Sequence, residues 1–219
     1  MLWRAISPGS RPSRGTLRST GSKEPRILGI GGGVASGKST VAALFGKRGI
    51  PVILLDDLAR ELSQKGKPLW KLIVLAFGRF FLDRQGNLER RKLAWLVFRS
   101  WPMLFRLNGL AHPLLFWEVR RRCQRLQANF VVVEGAVLFE AGLCSLLSDL
   151  LFVDAPWNAR RERLQKKGLE EKEIVLRLSA QRFLPALRRR ASKVLINDSS
   201  TELLEHRVFS LFPDWFSGK

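Results

Sequence analysis

Ile27-Leu28-Gly29-Ile30-Gly31-Gly32-Gly33-Val34-Ala35-Ser36-Gly37-Lys38-Ser39-Thr40 decides the fold of this 219-residue chain. Four apolar or small residues run into glycines, and a helix-compatible segment follows. Within it, Gly32-x4-Gly37-Lys38-Ser39 satisfies every fixed position of a phosphate-binding loop. Each residue type has a physical task. Glycines adopt backbone conformations closed to other residues and turn N–H groups toward phosphate oxygens. The helix that follows presents its positive N-terminal end. Lys38 is placed to bridge the β- and γ-phosphates, and the Ser39 hydroxyl to ligate Mg²⁺. The whole loop, Gly32, Gly33, Val34, Ala35, Ser36, Gly37, Lys38, Ser39 and Thr40, is thus expected to bind ATP.

The pattern outward from this loop alternates apolar runs with helical segments. Ile27–Ile30 reads as a first buried strand and Lys38–Lys47 as a helix with Val41, Ala42, Leu44 and Phe45 inward. Val52–Leu55 reads as a second strand. Residues 58–127 are helical in pattern, broken at Gly66-Lys67-Pro68, at residues 83–87 and at Pro102. Phe130–Val133, Leu150–Val153 and Val194–Ile196 complete five strands. Residues 160–181 read as one basic helix, and Thr201–Leu211 as the last. Such alternation predicts an α/β protein, a parallel sheet covered on both faces.

Asp56 follows the second strand, where doubly wound sheets bind their ligands. A carboxylate there can accept the proton of an attacking hydroxyl. The competing reading makes it a helix cap; Asp57 is read as a cap or surface residue. Arg160, Arg163 and Lys167 share one helical face by spacing, flanked by Arg161 and Lys166. For most of these a solvated face is expected. Arg188, Arg189 and Arg190 read as a solvated cluster.

Composition bounds the remainder. The net charge is +19, from 38 basic and 19 acidic residues. Such a field attracts polyanions, whether nucleic acid or small phosphorylated ligands. The aromatic residues are 14 Phe and 7 Trp with no Tyr. Cys123 and Cys144 lie in apolar stretches and form no metal-spacing pattern, so burial is expected. No run of about 18 apolar residues suggests a membrane span, and no membrane partner is expected. Residues 1–25 form a basic leader rich in Ser, Gly and Pro. Arg4, Arg11, Arg14, Arg18 and Lys23 face Glu24 as the one acid. It reads either as an organelle transit peptide or as a disordered extension. Two cysteines and no secretory signal fit a reducing interior: the cytoplasm, or the mitochondrion or another organelle if the leader is a transit peptide.

Together the segments resemble the dephospho-CoA kinases, from Arg26 to about Leu211. Residues 32–40 look like that family's GGIGSGKST, and residues 52–60 like its VIDAD-x-IAR. Gly86-Asn87-Leu88-Glu89-Arg90 with Val97-Phe98 is similar to its G-x-LDR segment. Ala111-His112-Pro113 matches its HP motif, and Val137-Leu138-Phe139-Glu140 its PLLFE. Ala155-Pro156 and Arg163-Leu164 fit the start of its lid; Gln181 and Ile196-Asn197 fit its adenine-side end. The resemblance implies a P-loop NTPase three-layer sandwich with a five-stranded parallel sheet, a helical substrate subdomain (about 58–127) and a helical lid (about 157–190). It implies transfer of the γ-phosphate of ATP, with Mg²⁺, to the ribose 3′-hydroxyl of dephospho-CoA. Asp56 then serves as base, with Lys38 and Arg163 catalytic. Asp56, Arg60 and His112 bind substrate, Asn197 binds nucleotide, and Ser39 ligates the metal. For His112 a second reading is open, as a cap at a helix start before Pro113. Departures fall at Gly31, Leu54, Ala136, Lys167 and Ala191-Ser192, where the family pattern has Thr, Asp, Pro, Arg and Ala-Asp. The rival readings are another small-molecule P-loop kinase, such as a shikimate-like one, and a basic nucleic-acid-associated ATPase or GTPase. Against the latter, the chain has neither an Asn-Lys-x-Asp motif nor an aromatic-basic RNA signature, and no nucleic-acid partner is expected. A catalytically dead binding module is the third, opposed by the retention of Lys38, Ser39 and Asp56.

Overall fold

The computed structural model describes residues 25–179, 181 and 184–216; apart from Pro25, the basic leader lies outside them. Five parallel strands form one sheet: β1 (Arg26–Gly32), β2 (Val52–Leu54), β3 (Phe130–Glu134), β4 (Asp149–Asp154) and β5 (Lys193–Ile196), in the order β2-β3-β1-β4-β5. Every strand read from the sequence is present, with ends shifted by a residue or two. The helices are α1 (Lys38–Lys47), α2 (Leu55–Leu62), α3 (Pro68–Phe77), α4 (Arg90–Arg99), α5 (Trp101–Arg125), α6 (Trp157–Gln165), α7 (Glu171–Ser179), α8 (Leu184–Arg190), α9 (Thr201–Leu211) and α10 (Pro213–Phe216).

The strands are apolar on both faces because both are covered. On one face Leu28, Ile30, Val132, Leu151 and Val153 pack with Val41 and Phe45 of α1 and with Leu204, Val208 and Trp215 of α9 and α10. On the other, Ile27, Val131, Val133, Leu150 and Phe152 pack with α2, α3, α4, α5 and α8. Helix, sheet and helix make the three expected layers. Each fully buried Leu, Ile or Phe contributes about 1.5–3 kcal/mol over its exposed state. Gly31 faces the second layer, where a Cβ would lie 2.6 Å from Leu187 Cδ2 of α8. The departure at that position therefore makes room for α8.

Four local expectations are corrected. Leu55 belongs to α2 and not to the second strand, so Asp56 sits in the first turn of that helix, beside the strand end. The break near Pro102 falls at Ser100, the N-cap of α5, with the proline in the helix's first turn. The basic segment 160–181 is not one helix. It divides into α6 and α7 around Gly168, whose φ of +78° ends the first. Lys167 therefore lies in the turn just beyond α6, and with Arg163 it still borders the space over the phosphate loop. Pro113 does not open a helix either: it lies in the middle of α5. The cap reading of His112 falls with it. Lacking an N–H, Pro113 makes no bond to the carbonyl four residues back. That residue is Gly109, which is exposed and offers no side chain for the ring to meet.

Candidate active site

The phosphate loop leaves β1 and enters α1, bent by two glycines. Gly32 has φ +145°, and a Cβ there would run into the Val153 carbonyl of β4. Gly37 has φ +97° and serves as the N-cap of α1; a Cβ there would strike the Asn197 amide. Between them, Ala35 takes a left-handed φ of 59° although it carries a side chain. L-residues pay roughly 1–2 kcal/mol for that conformation. The surroundings therefore hold it in place.

They do so through three side chains from distant parts of the chain. Arg160 donates from Nε to the Val34 carbonyl (2.9 Å) and from Nη2 to Gln181 Oε1 (2.8 Å). Arg163 donates from Nη1 to the carbonyls of Ala35 (3.0 Å) and Ser36 (3.2 Å), and from Nη2 to that of Asn197 (3.2 Å). Asn197 donates from Nδ2 to the Ser36 carbonyl at 2.8 Å. Arg160 is 9% exposed, which overturns the expectation of a solvated cation there. Arg161 and Lys166 do lie at the surface, paired with Glu171 (2.8 Å) and Glu162 (2.7 Å).

Lys38 bends back to donate to the Gly33 carbonyl at 2.9 Å. Burial lowers the pKa of its ammonium, while the carboxylates of Glu134 and Asp56 work in the opposite sense. Glu134 escaped the sequence reading. It ends β3, is 8% exposed, and accepts a hydrogen bond from Ser39 Oγ (3.4 Å). Burial pushes its carboxyl pKa up, and Lys38 opposes this. Its register partner on β2 is Leu54, the position at which the resemblance calls for an acid. The signal was present: an acid directly after Val131-Val132-Val133 is how a metal-side carboxylate looks in phosphate-loop proteins.

A cavity of about 500 Å³ opens over these groups, lined by Ala35, Gly37, Lys38, Ser39, Thr40, Arg163 and Asn197, among others. Asp56, Arg60 and His112 do not line it. Asp56 is exposed, near enough to Lys38 to favour its charged form. Arg60 pairs with Asp57 at 3.3 Å, which makes Asp57 a surface residue. The Arg60 carbonyl accepts from Arg90 at 2.8 Å. His112 is half-buried on α5. Burial holds its imidazole below the usual value, and the Glu140 backbone works against that shift. His112 thus packs beside the Leu138–Glu140 segment, joining two of the landmarks read from the sequence. His206 of α9 is exposed. Cys123 is buried in the core, and its thiol pKa is pushed up to about 11 by that burial. Cys144 is partly buried.

Among the described residues, no group of three or more His, Cys, Asp or Glu could hold a metal by itself. No helix among them is long and apolar enough to cross a membrane.

The comparisons with known proteins agree with this arrangement. The sequence profile of dephospho-CoA kinase matches residues 26–202. A dephospho-CoA kinase of Bacillus licheniformis is 34% identical over 193 residues, 86% of this chain and 96% of the relative. A crystal structure from Thermus thermophilus, 36% identical, superposes with a TM-score of 0.72 over 88% of this chain and 98% of its own. The likeness to shikimate kinase from Acinetobacter baumannii (TM-score 0.55, 11% identity, 89% of this chain and 96% of that one) is one of fold alone. A phosphate loop held by cations from α6, an acid beside the β2 end, and this match over most of the chain lead to one conclusion: the chain belongs to the dephospho-CoA kinase family.

Proposed function

We propose that this protein transfers the γ-phosphate of ATP to the ribose 3′-hydroxyl of dephospho-CoA, giving CoA and ADP. The observation that carries the reading is the pairing of a cation-clamped phosphate loop with Asp56, in the first turn of the neighbouring α2 and within electrostatic reach of Lys38. Backbone N–H groups of the loop and the start of α1 receive the β-phosphate. Lys38 leaves the Gly33 carbonyl and neutralises charge on the transferred group, as a preorganised cation in a water-poor site does best. Arg163 keeps the loop in its receiving shape and adds positive charge at the cavity wall. Asp56 takes the proton of the attacking hydroxyl. Asn197, at the cavity wall, meets the nucleotide in this reading. The helices between β2 and β3 form the acceptor side, with Arg60 and His112 meeting the CoA moiety, and α6 to α8 act as the lid.

The oxygen donors around Ser39 fit Mg²⁺, which prefers hard oxygen ligands and keeps much of its shell from water and phosphate. Ser39 would hold it directly, with Glu134 orienting the hydroxyl from behind. The ion would supply charge neutralisation on the phosphates. The compartment we assign is the cytoplasm, or an organelle if the leader is a transit peptide.

The decisive assay follows ADP release from Mg-ATP with dephospho-CoA, using adenosine, AMP and shikimate as controls. Turnover with dephospho-CoA alone is expected; turnover with none of them would defeat the proposal. Asp56→Asn should retain the KM for ATP and lose about 10²–10⁴-fold in kcat. An unchanged kcat would remove Asp56 as the base.

A further inference from the structure

Helices α4 and α5 meet at Ser100, and the corner they make carries aromatic rings on its outside. Trp95 and Phe98 of α4, Trp101 and Phe105 of α5, and Phe80 in the turn after α3 are between 61% and 78% exposed. The inner faces of the same helices are spent on the core, through Leu93, Val97, Leu115 and Val119. So much exposed aromatic surface in one region marks a contact site. None of these rings lines either of the two described cavities.

Cations interleave with the rings. Lys92 Nζ lies 4.1 Å from the Phe80 ring centroid, and Arg99 Cζ lies 4.2 Å from that of Trp95. Arg91 is exposed on the same helix. From Arg90 to Trp117 the chain contains no Asp or Glu at all. Elsewhere on the surface the cations are commonly matched by acids, as in the Arg161–Glu171, Lys166–Glu162 and Arg177–Glu173 pairs. Lys92 pairs with Glu89 at 3.5 Å, but no further acid follows before Glu118, so the corner is apolar and keeps a net positive charge.

We infer that this corner docks on an anionic phospholipid bilayer. Trp and Phe favour the interfacial depth of a membrane, and Lys and Arg beside them meet the headgroup phosphates. Each cation near an anionic leaflet adds to binding. Both helices lie on the bilayer and neither crosses it. The sequence reading, which expected no membrane partner, weighed only spanning segments and could not see which faces of α4 and α5 remain uncovered. The corner adjoins the proposed acceptor side: Phe105 lies seven residues before His112, two turns and about 10 Å along the same face of α5.

Co-sedimentation of the full chain with vesicles tests this. The comparison is phosphatidylcholine alone against equal parts of phosphatidylcholine and phosphatidylglycerol. The wild type should pellet with the anionic vesicles only, with a blue shift in tryptophan emission. Trp95→Ser with Phe105→Ser should lower partitioning about tenfold or more. Arg91→Gln with Arg99→Gln should lower it about thirtyfold at physiological salt. The melting temperature should stay unchanged in both, and the assay contains neither ATP nor dephospho-CoA, so its outcome is independent of the proposed reaction. Every variant keeps the basic leader, so binding that survives in both variants would place adsorption on the leader and overturn the proposal. A wild type that stays in the supernatant would overturn it too. So would a concentration-dependent dimer, or duplex-DNA binding, that the same substitutions abolish while lipid binding persists.

Discussion

Arg163→Lys separates two roles that one side chain could play. If Arg163 served only as a positive charge beside the transferred phosphate, lysine would preserve much of that role. The guanidinium, however, divides three hydrogen bonds among the carbonyls of Ala35, Ser36 and Asn197. A lysine ammonium is one point and cannot span the fork. Losing about two of these charge-assisted bonds removes about 3–6 kcal/mol of gross interaction. The side chain is only partly buried, so water repairs more than half of that, and a net cost of about 1.5 kcal/mol remains. The loop then spends more of its time out of receiving shape, and the KM for ATP should rise about tenfold. Because the chemistry at Lys38 and Asp56 is untouched, kcat should fall less than about threefold. Steady-state kinetics at saturating acceptor, with a thermal melt of each protein, measure both. An unchanged KM with a kcat lower by two orders of magnitude would refute the clamp and leave Arg163 as a charge alone.

Three other substitutions probe the frame. Ala35→Gly relieves a left-handed residue and should raise unfolding stability by about 0.5–1 kcal/mol in a denaturant titration; destabilisation would mean that the φ of 59° is unstrained. Phe45→Ala empties the centre of a ring cluster in which Phe212, Trp215 and Phe216 lie 5.1–6.2 Å away. It should cost about 3–5 kcal/mol, and a loss below about 1 kcal/mol would contradict the packing of α10 on α1. Glu118 is held by Arg121 and Arg122, and its carboxyl pKa is lowered from 4.5 to about 2. The folded state therefore favours the ionised form, and the stabilisation is complete above pH 4.5 and fades as the pH falls toward about 2. Because the guanidinium partners are a third to a half exposed, solvent screening reduces it to about 1–2 kcal/mol. Glu118→Gln should be less stable than wild type by that amount at pH 7, with the gap closing near pH 2; a pH-independent gap would rule out ionisation as its source.

What the sequence revealed follows the range of the interactions involved. The phosphate loop was legible because its glycines, Lys38 and Ser39 act within ten residues of one another. The five strands were legible because a sheet covered on both faces leaves continuous apolar runs. Arg160 was misread because a basic helix looks alike whether one cation faces water or packs under a loop 126 residues away. The division of α6 from α7 hung on one glycine in a charged stretch. Pro113 was read as a helix start because prolines favour a first turn, and nothing local marks one that lies in the middle of a 25-residue helix. Glu134 was passed over because its meaning depends on Ser39 lying 95 positions away.

The Ser36 carbonyl receives both Arg163 and Asn197, donors 127 and 161 positions further along the chain. During synthesis the loop emerges well before the residues that complete it. Until β5 has been made and docked, the Asn197 amide is missing from beside Gly37, and the left-handed turn at Ala35 rests on Arg160 and Arg163 alone. An incomplete chain would carry every residue of the motif and still not form the receiving cradle. Nucleotide affinity in this protein is therefore also a certificate of completed folding, issued from the far end of the sheet.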